Sequence, residues 1–206
     1  MATWERLASV TLSSTNANLD TGTFTPKKHL KVVFHGFNQS ADSDIMMRVG
    51  TGGTIDTGAT YSWRNSRNGG TDATNGSENE LQIVGASFNT ANASSWGVIN
   101  ISNKTGDEKL FLSNTGTTLA GAGNAPDRVE LAGKWANADD QIDTIRIFLN
   151  QNSSVYAVGA SITVFGADDQ GSTPFYPNLS NGTIFEDTTD GNHYMWNGTD
   201  TWNEVV

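Results

Sequence analysis

The chain has 206 residues, 36% hydrophobic and 17% charged, with 12 Lys+Arg against 22 Asp+Glu, a formal net charge of −10 and a pI near 4.5. A surface this acidic repels nucleic acid and anionic membranes, so neither is a natural partner. The sequence holds no cysteine, which excludes disulfides, thiolate metal sites, iron–sulfur clusters and a Cys nucleophile.

Polarity comes mostly from Asn, Ser, Thr and Gly, a mix that disfavours long helices and suits strands joined by turns. The opening Met1-Ala2-Thr3-Trp4-Glu5-Arg6 lacks a basic region followed by an apolar run, so no signal peptide is expected. No stretch approaches the ~20 apolar residues of a membrane span.

Period-two alternation dominates from the start. Trp4 to Leu12 alternates through Leu7, Val10 and Leu12, and His29–Phe37 (HLKVVFHGF) is the strongest early strand. Asp44–Val49 is a second, followed by a turn at Gly50, Gly52 and Gly53, and Thr60–Asn65 carries Tyr61 and Trp63. Asn68–Asn79 (NGGTDATNGSEN) reads as a loop. Strands are then expected at Glu80–Ala86, Trp96–Ser102, Lys109–Ser113, Arg128–Trp135, Gln141–Leu149 and Ser161–Gly166. In Gln141–Leu149, Ile145 and Ile147 share a face, and Ile142 is displaced by a bulge or lies before the strand begins. The best helical candidate is short, Asn137–Ile142, and a turn fits it equally well.

These are about nine or ten short strands divided by Gly, Asn, Asp and Ser clusters, the pattern of an all-β antiparallel sandwich or jelly roll. That domain is expected over residues 1–168. Residues 169–181, with QGSTPFYP inside them, read as a linker, because proline suits straps better than strands. Residues 182–206 read as a small three-stranded β-appendage: Gly182–Asp187, His193–Asn197 and Thr201–Val206, with Asp190-Gly191 as a hairpin turn. Three short strands alone are marginally stable, so this unit is expected to pack on the main domain or on a neighbouring subunit.

Catalytic patterns are thin. His29 and His35 lie six apart on one strand, about 20 Å by strand rise, too far to chelate one ion together. No G-x-S-x-G links a Ser to a His and an Asp. The acids Asp139, Asp140, Asp168, Asp169, Glu186 and Asp187 fall in adjacent pairs, and adjacent acids on a strand point to opposite faces rather than across a cleft. Calcium is the ion these acidic turns suit, at Asp139–Asp140, Asp168–Asp169 and Asp187–Asp190, although none has the helical calcium-loop pattern. No cofactor fingerprint is present: VGTGGT at Gly50–Gly53 is Gly-rich but no helix follows. The six tryptophans, Trp4, Trp63, Trp96, Trp135, Trp196 and Trp202, sit mostly in apolar strand contexts, which favours core or interface burial over sugar stacking.

Two regions carry a resemblance. Ala125–Asp168 (APDRVELAGKWANADDQIDTIRIFLNQNSSVYAVGASITVFGAD), with KHLKVVF at Lys28–Phe34, Arg48, RNSRNGG at Arg64–Gly70 and INISN at Ile99–Asn103, resembles a domain of structural proteins of tailed bacteriophages and related archaeal viruses. The likeness covers most of residues 4–168. Asn181–Val206, with its G-T-I-F-x-D-T-x-D-G-x-x-Y-x-W-N-G-T-x-x-W pattern, resembles small β-units of phage tail, fibre and virion proteins. The resemblance implies a jelly-roll-like, non-enzymatic virion protein, either a capsid decoration or cement protein or a tail- or fibre-associated one. Its partners would be other virion proteins and further copies of itself, a trimer by analogy with decorations and fibres.

The expected assembly interface is aromatic: Phe175, Tyr176, Phe185, Tyr194, Trp196 and Trp202. The alternative is a lectin-like receptor-binding module whose partner is a host-surface glycan.

Overall fold

The alternation of inward and outward side chains produces a two-sheet antiparallel sandwich. The computed structural model describes residues 3–85, 93–118, 121–151, 153–169, 180–187, 191–198 and 201–205. No helix occurs among the described residues, so none is long and apolar enough to cross a membrane. Thr3–Asp168 forms one compact unit, and the described residues from Asp169 onward form a second.

In chain order the first unit runs β1 (Glu5–Thr11), β2 (Asn18–Asp20), β3 (His29–Asn38), β4 (Ile45–Thr51), β5 (Thr54–Ile55), β6 (Tyr61–Arg67), β7 (Ala73–Glu78), β8 (Leu81–Val84), β9 (Ser94–Ser102), β10 (Lys109–Thr117), β11 (Asp127–Trp135), β12 (Thr144–Leu149) and β13 (Ser161–Ala167). The second holds β14 (Ile184–Asp187), β15 (Asn192–Trp196) and β16 (Trp202–Val205). Eight strands form the larger sheet, ordered β1-β13-β3-β9-β10-β11-β6-β7. Five form the smaller, β2-β12-β4-β5 with β8 also on β4, and β14-β15-β16 stand as a third sheet.

The inner faces supply one core. Val32, Phe34, Ile99, Ile101, Phe111, Leu131 and Trp135 from the larger sheet meet Leu19, Ile45, Met47, Val49, Leu81, Ile145 and Ile147 from the smaller. Gly97 faces inward on β9 because the Phe34 ring occupies the space a side chain would need: an added Cβ would lie 2.4 Å from Phe34 Cζ. Gly36, at φ +70°, makes the bulge that shifts the β3–β9 register between Phe34 and Phe37 and lets both rings stack inward at 4.9 Å.

Polar bonds pin the sheets to each other. Val49 N–H on β4 donates to Tyr61 Oη on β6 at 3.0 Å, and that hydroxyl lies 3.0 Å from the Val49 carbonyl and 3.1 Å from the Asp56 carbonyl, to either of which it donates. Asp56 itself accepts Trp135 Nε1–H at 2.7 Å, Gly58 N–H at 2.8 Å and the Thr60 hydroxyl at 2.8 Å. Burial opposes ionisation of this carboxyl, but the three donors outweigh it and hold the pKa below the usual range. At one end of the sandwich, buried Asn103 bonds the carbonyls of Lys27 and Ile142 through Nδ2 and accepts Ile142 N–H at 2.7 Å. That hub fixes Ile142 in the core before β12 begins at Thr144.

The structure departs from the sequence reading in two places. Asn68–Asn79 is not all loop, because β7 pairs with β6 along Ala73–Glu78. Its side chains are nearly all exposed, so the pairing rests on backbone bonds and leaves no apolar alternation to read. The thirteen strands of the first unit exceed the expected nine or ten because β2 and β5 are only three and two residues long and β7 is polar. Of the two forms open to Asn137–Ile142, a short helix or a turn, the structure has the turn: Asn137 Oδ1 accepts the N–H groups of both Asp139 and Asp140 at 3.0 Å.

Two outcomes test this packing. Ile147 is fully buried, and Ile147→Ala should cost about 2–5 kcal/mol in denaturant unfolding. Burial raises the Tyr61 pKa above its ordinary 10.0, with Asp56 adding to the shift. The folded phenol therefore stays protonated at pH values where the unfolded one ionises. Its contribution is complete below about pH 10 and is lost as pH rises further. Tyr61→Phe should cost about 1–3 kcal/mol at neutral pH by stranding the Val49 groups. The same variant should flatten the alkaline loss of stability, read from urea midpoints across that range.

Candidate assembly surfaces

In β14–β16 the register puts Phe185 opposite Tyr194, and Trp196 opposite Trp202. Alternation brings all four rings to one face of the three-stranded sheet. Phe185 lies 6.4 Å from Tyr194 and 5.8 Å from Trp202, and these three rings line an apolar slot of about 380 Å³. Phe185 is half exposed. Trp196 is on the same face but buried, its ring centroid 5.4 Å from that of Trp202, so it supports the slot rather than lining it. Ile184, Met195 and Val205 lie on the opposite face and are exposed as well. The sheet is thus apolar on both sides. Phe175 and Tyr176, expected in the same interface, lie outside the described residues.

A second surface escaped the sequence reading. The outer face of the eight-stranded sheet carries Leu110 and Leu112, 57% and 60% exposed, and, farther along β9 opposite Gly116, Trp96 at 53%. One cross-strand row spans all eight strands: Arg6, Phe165, Lys31, Asn100, Leu112, Ala132, Arg64 and Thr74. Leu110 and Leu112 form a ridge. On one side a groove of about 460 Å³ runs over Ala132 toward Arg64, Thr74 and Lys134. On the other, a groove of about 550 Å³ runs toward Trp4, His29 and Lys104. Lys31 Nζ stands 5.1 Å from the centroid of the Trp4 ring, a cation–π contact.

The phase of β10 causes this exposure. Lys109, Phe111, Ser113, Thr115 and Thr117 point inward, so Leu110 and Leu112 point out. Lys109 is buried, and its ammonium donates to the carbonyls of Lys104 at 2.8 Å and Asp107 at 2.7 Å. Desolvation lowers its pKa, and Asp107, Asp140 and Asp139 counter part of that effect. A strand written KLFLSNTGT carries leucines at both outward positions nearest its start, which is the signal that could have identified the face.

The tryptophans divide. Trp63, Trp135 and Trp196 are buried, whereas Trp4 and Trp96 are exposed. The general expectation of burial therefore does not cover Trp4 and Trp96.

Two of the carboxylates raised as catalytic or calcium candidates, Asp168 and Asp140, have other partners. Asp168 accepts Lys27 Nζ at 3.0 Å and Lys28 N–H at 3.1 Å, and these bonds with the nearby charges hold its pKa low. Asp140 takes a bond from Asn137 Nδ2 at 3.3 Å. Glu186 and Asp187 fall on opposite faces of β14. Asp190 lies outside the described residues. Among the described residues no three His, Cys, Asp or Glu side chains gather as a metal site. His29 and His35 share the open face of β3, opposite Ser102 and Ser161 respectively.

No family model, curated protein or solved structure matches this chain.

The support role of Trp196 separates from the surface role of Phe185. Trp196→Ala should remove about 3–5 kcal/mol of burial from a sheet with little to spare, exposing the amides of β14–β16 to hydrogen exchange. Phe185→Ser should leave their protection unchanged.

Proposed function

We propose that this chain is a non-enzymatic structural protein of a virus particle, a capsid decoration or cement subunit or a tail- or fibre-associated one, that works through protein–protein assembly. The observation that carries the reading is the aromatic slot of Phe185, Tyr194 and Trp202 on a three-stranded sheet too small to bury it. Aromatic side chains at an open surface are the usual anchors of interface cores. A sheet of this size gains independent stability by packing against something else. The viral setting rests on the resemblance of Ala125–Asp168 and Asn181–Val206 to virion proteins. The partners are other virion proteins and further copies of the chain, with a trimer the order that analogy favours.

Glycan recognition is the second reading, carried by Trp96 and Trp4, which stand exposed on an open sheet face where a sugar ring can stack. It makes the protein a receptor-binding module. Titration with neutral oligosaccharides, followed by tryptophan fluorescence, separates the two: a saturable response lost in Trp96→Ala supports the glycan reading.

For the assembly reading, the purified chain should sediment as a homo-oligomer. Deleting residues 171–206 should leave a sandwich with an unchanged melting temperature that sediments as a monomer. A truncated chain that assembles as well as the full one would move the interface to the sandwich and remove the tail from it.

A further inference from the structure

The two surfaces are opposite in charge as well as alike in apolar character. Residues 169–206 contain six Asp or Glu and no Lys or Arg. The outward strand positions of the eight-stranded sheet hold Arg6, Lys31, Arg64, Arg128 and Lys134, with Glu130 as their one acid. The face thus gathers five of the chain's 12 basic residues and one of its 22 acids, in a protein whose net charge is −10. Two acids of flanking loops pair with it, Asp72 with Arg64 at 3.3 Å and Glu108 with Lys134 at 2.7 Å. Even with them counted the face stays net basic. These pairs are exposed, so each is weak and exchangeable for a partner's carboxylate.

We propose that the C-terminal unit of one copy docks on the open face of the eight-stranded sheet of a second copy. The proposal rests on the assembly reading above and adds the surface that receives the unit. Most encounters between copies this acidic are repulsive. Meeting of the all-acidic unit with the basic face is attractive, and complementarity of this kind selects register and partner. The apolar parts match too. Leu110 and Leu112 stand up as a ridge, and the slot between Phe185, Tyr194 and Trp202 has the apolar lining that suits an aliphatic side chain. Glu204 lies on the slot's face, opposite Tyr194, where it would meet the basic residues flanking that ridge. The contact joins two different patches, so it is heterologous and closes as a ring when the rotation allows.

The test uses the full chain. Arg64→Glu with Lys134→Glu changes two exposed side chains and should weaken self-association in sedimentation by about tenfold or more, with the melting temperature unchanged. Adding Glu204→Lys should recover most of the loss. Leu112→Ser gives an independent check through the ridge and should also weaken association. Zero-length cross-linking of mixed isotope-labelled and unlabelled copies should join Lys134 or Lys31 of one copy to Glu204 or Asp187, the acids on the slot's face, of another. Bridges found only within single copies would overturn the proposal in favour of a unit folded back on its own sandwich. Association lost in Phe185→Ser but unchanged by both the charge reversal and Leu112→Ser would overturn the acceptor face while leaving the assembly reading standing. A chain monomeric at every concentration would overturn both.

Discussion

Lys109 decides which way the central strand faces. An ammonium taken out of water is costly unless it is hydrogen-bonded, and here the carbonyls of Lys104 and Asp107 receive it. With Lys109 held inward and Phe111 in the core beside it, strict alternation leaves no choice for Leu110 and Leu112. They become the ridge on which both grooves of the open face depend. A slip of one residue would bury the leucines, expose Phe111 and place the polar side chains of Ser113, Thr115 and Thr117 outside. The surface chemistry of the larger sheet is therefore a consequence of an interior contact.

Much of the fold was legible because it rests on local alternation. His29–Asn38, Arg128–Trp135 and Ser161–Ala167 announce themselves by one apolar face, and the buried isoleucines of β12 stand where their spacing puts them. β7 was not legible, since an exposed strand held by backbone bonds needs no apolar side chains. Nor was the open face. In β10 the outward positions are the greasier ones, and only the three-dimensional cage around Lys109 explains why. The aromatic slot was half legible: the residues were evident, but the register that joins Phe185, Tyr194 and Trp202 and sinks Trp196 beneath them depends on pairing across three strands. The basic face was invisible for a simpler reason. Its residues come from four different strands, and in the linear sequence they are diluted by acids that fold elsewhere.

The chain's many carboxylates serve architecture. Asp56 ties the segment before β6 to Trp135, and Asp143 accepts the Gly52 and Gly53 amides of the tight turn after β4. Asp127 holds Arg67 and Asn68 where β6 turns away. In a protein without cysteine, these side chain–backbone and side chain–side chain bonds fasten the loops that a disulfide would otherwise clamp.

Both outer strands of the larger sheet are irregular. The β1–β13 register shifts between Arg6 and Ala8, and the β6–β7 register shifts between Tyr61 and Ser62. Ser77, at φ +57°, bends β7 further. A straight outer strand would offer its unpaired amides and carbonyls to the same strand of another molecule, and growth by that route has no natural end. Bulges and a polar β7 spoil the template at both margins of the sheet. Copies of this protein are steered away from zipping together into fibres, and any contact between them would fall to side chains on the faces, where shape and charge would limit how many molecules could join.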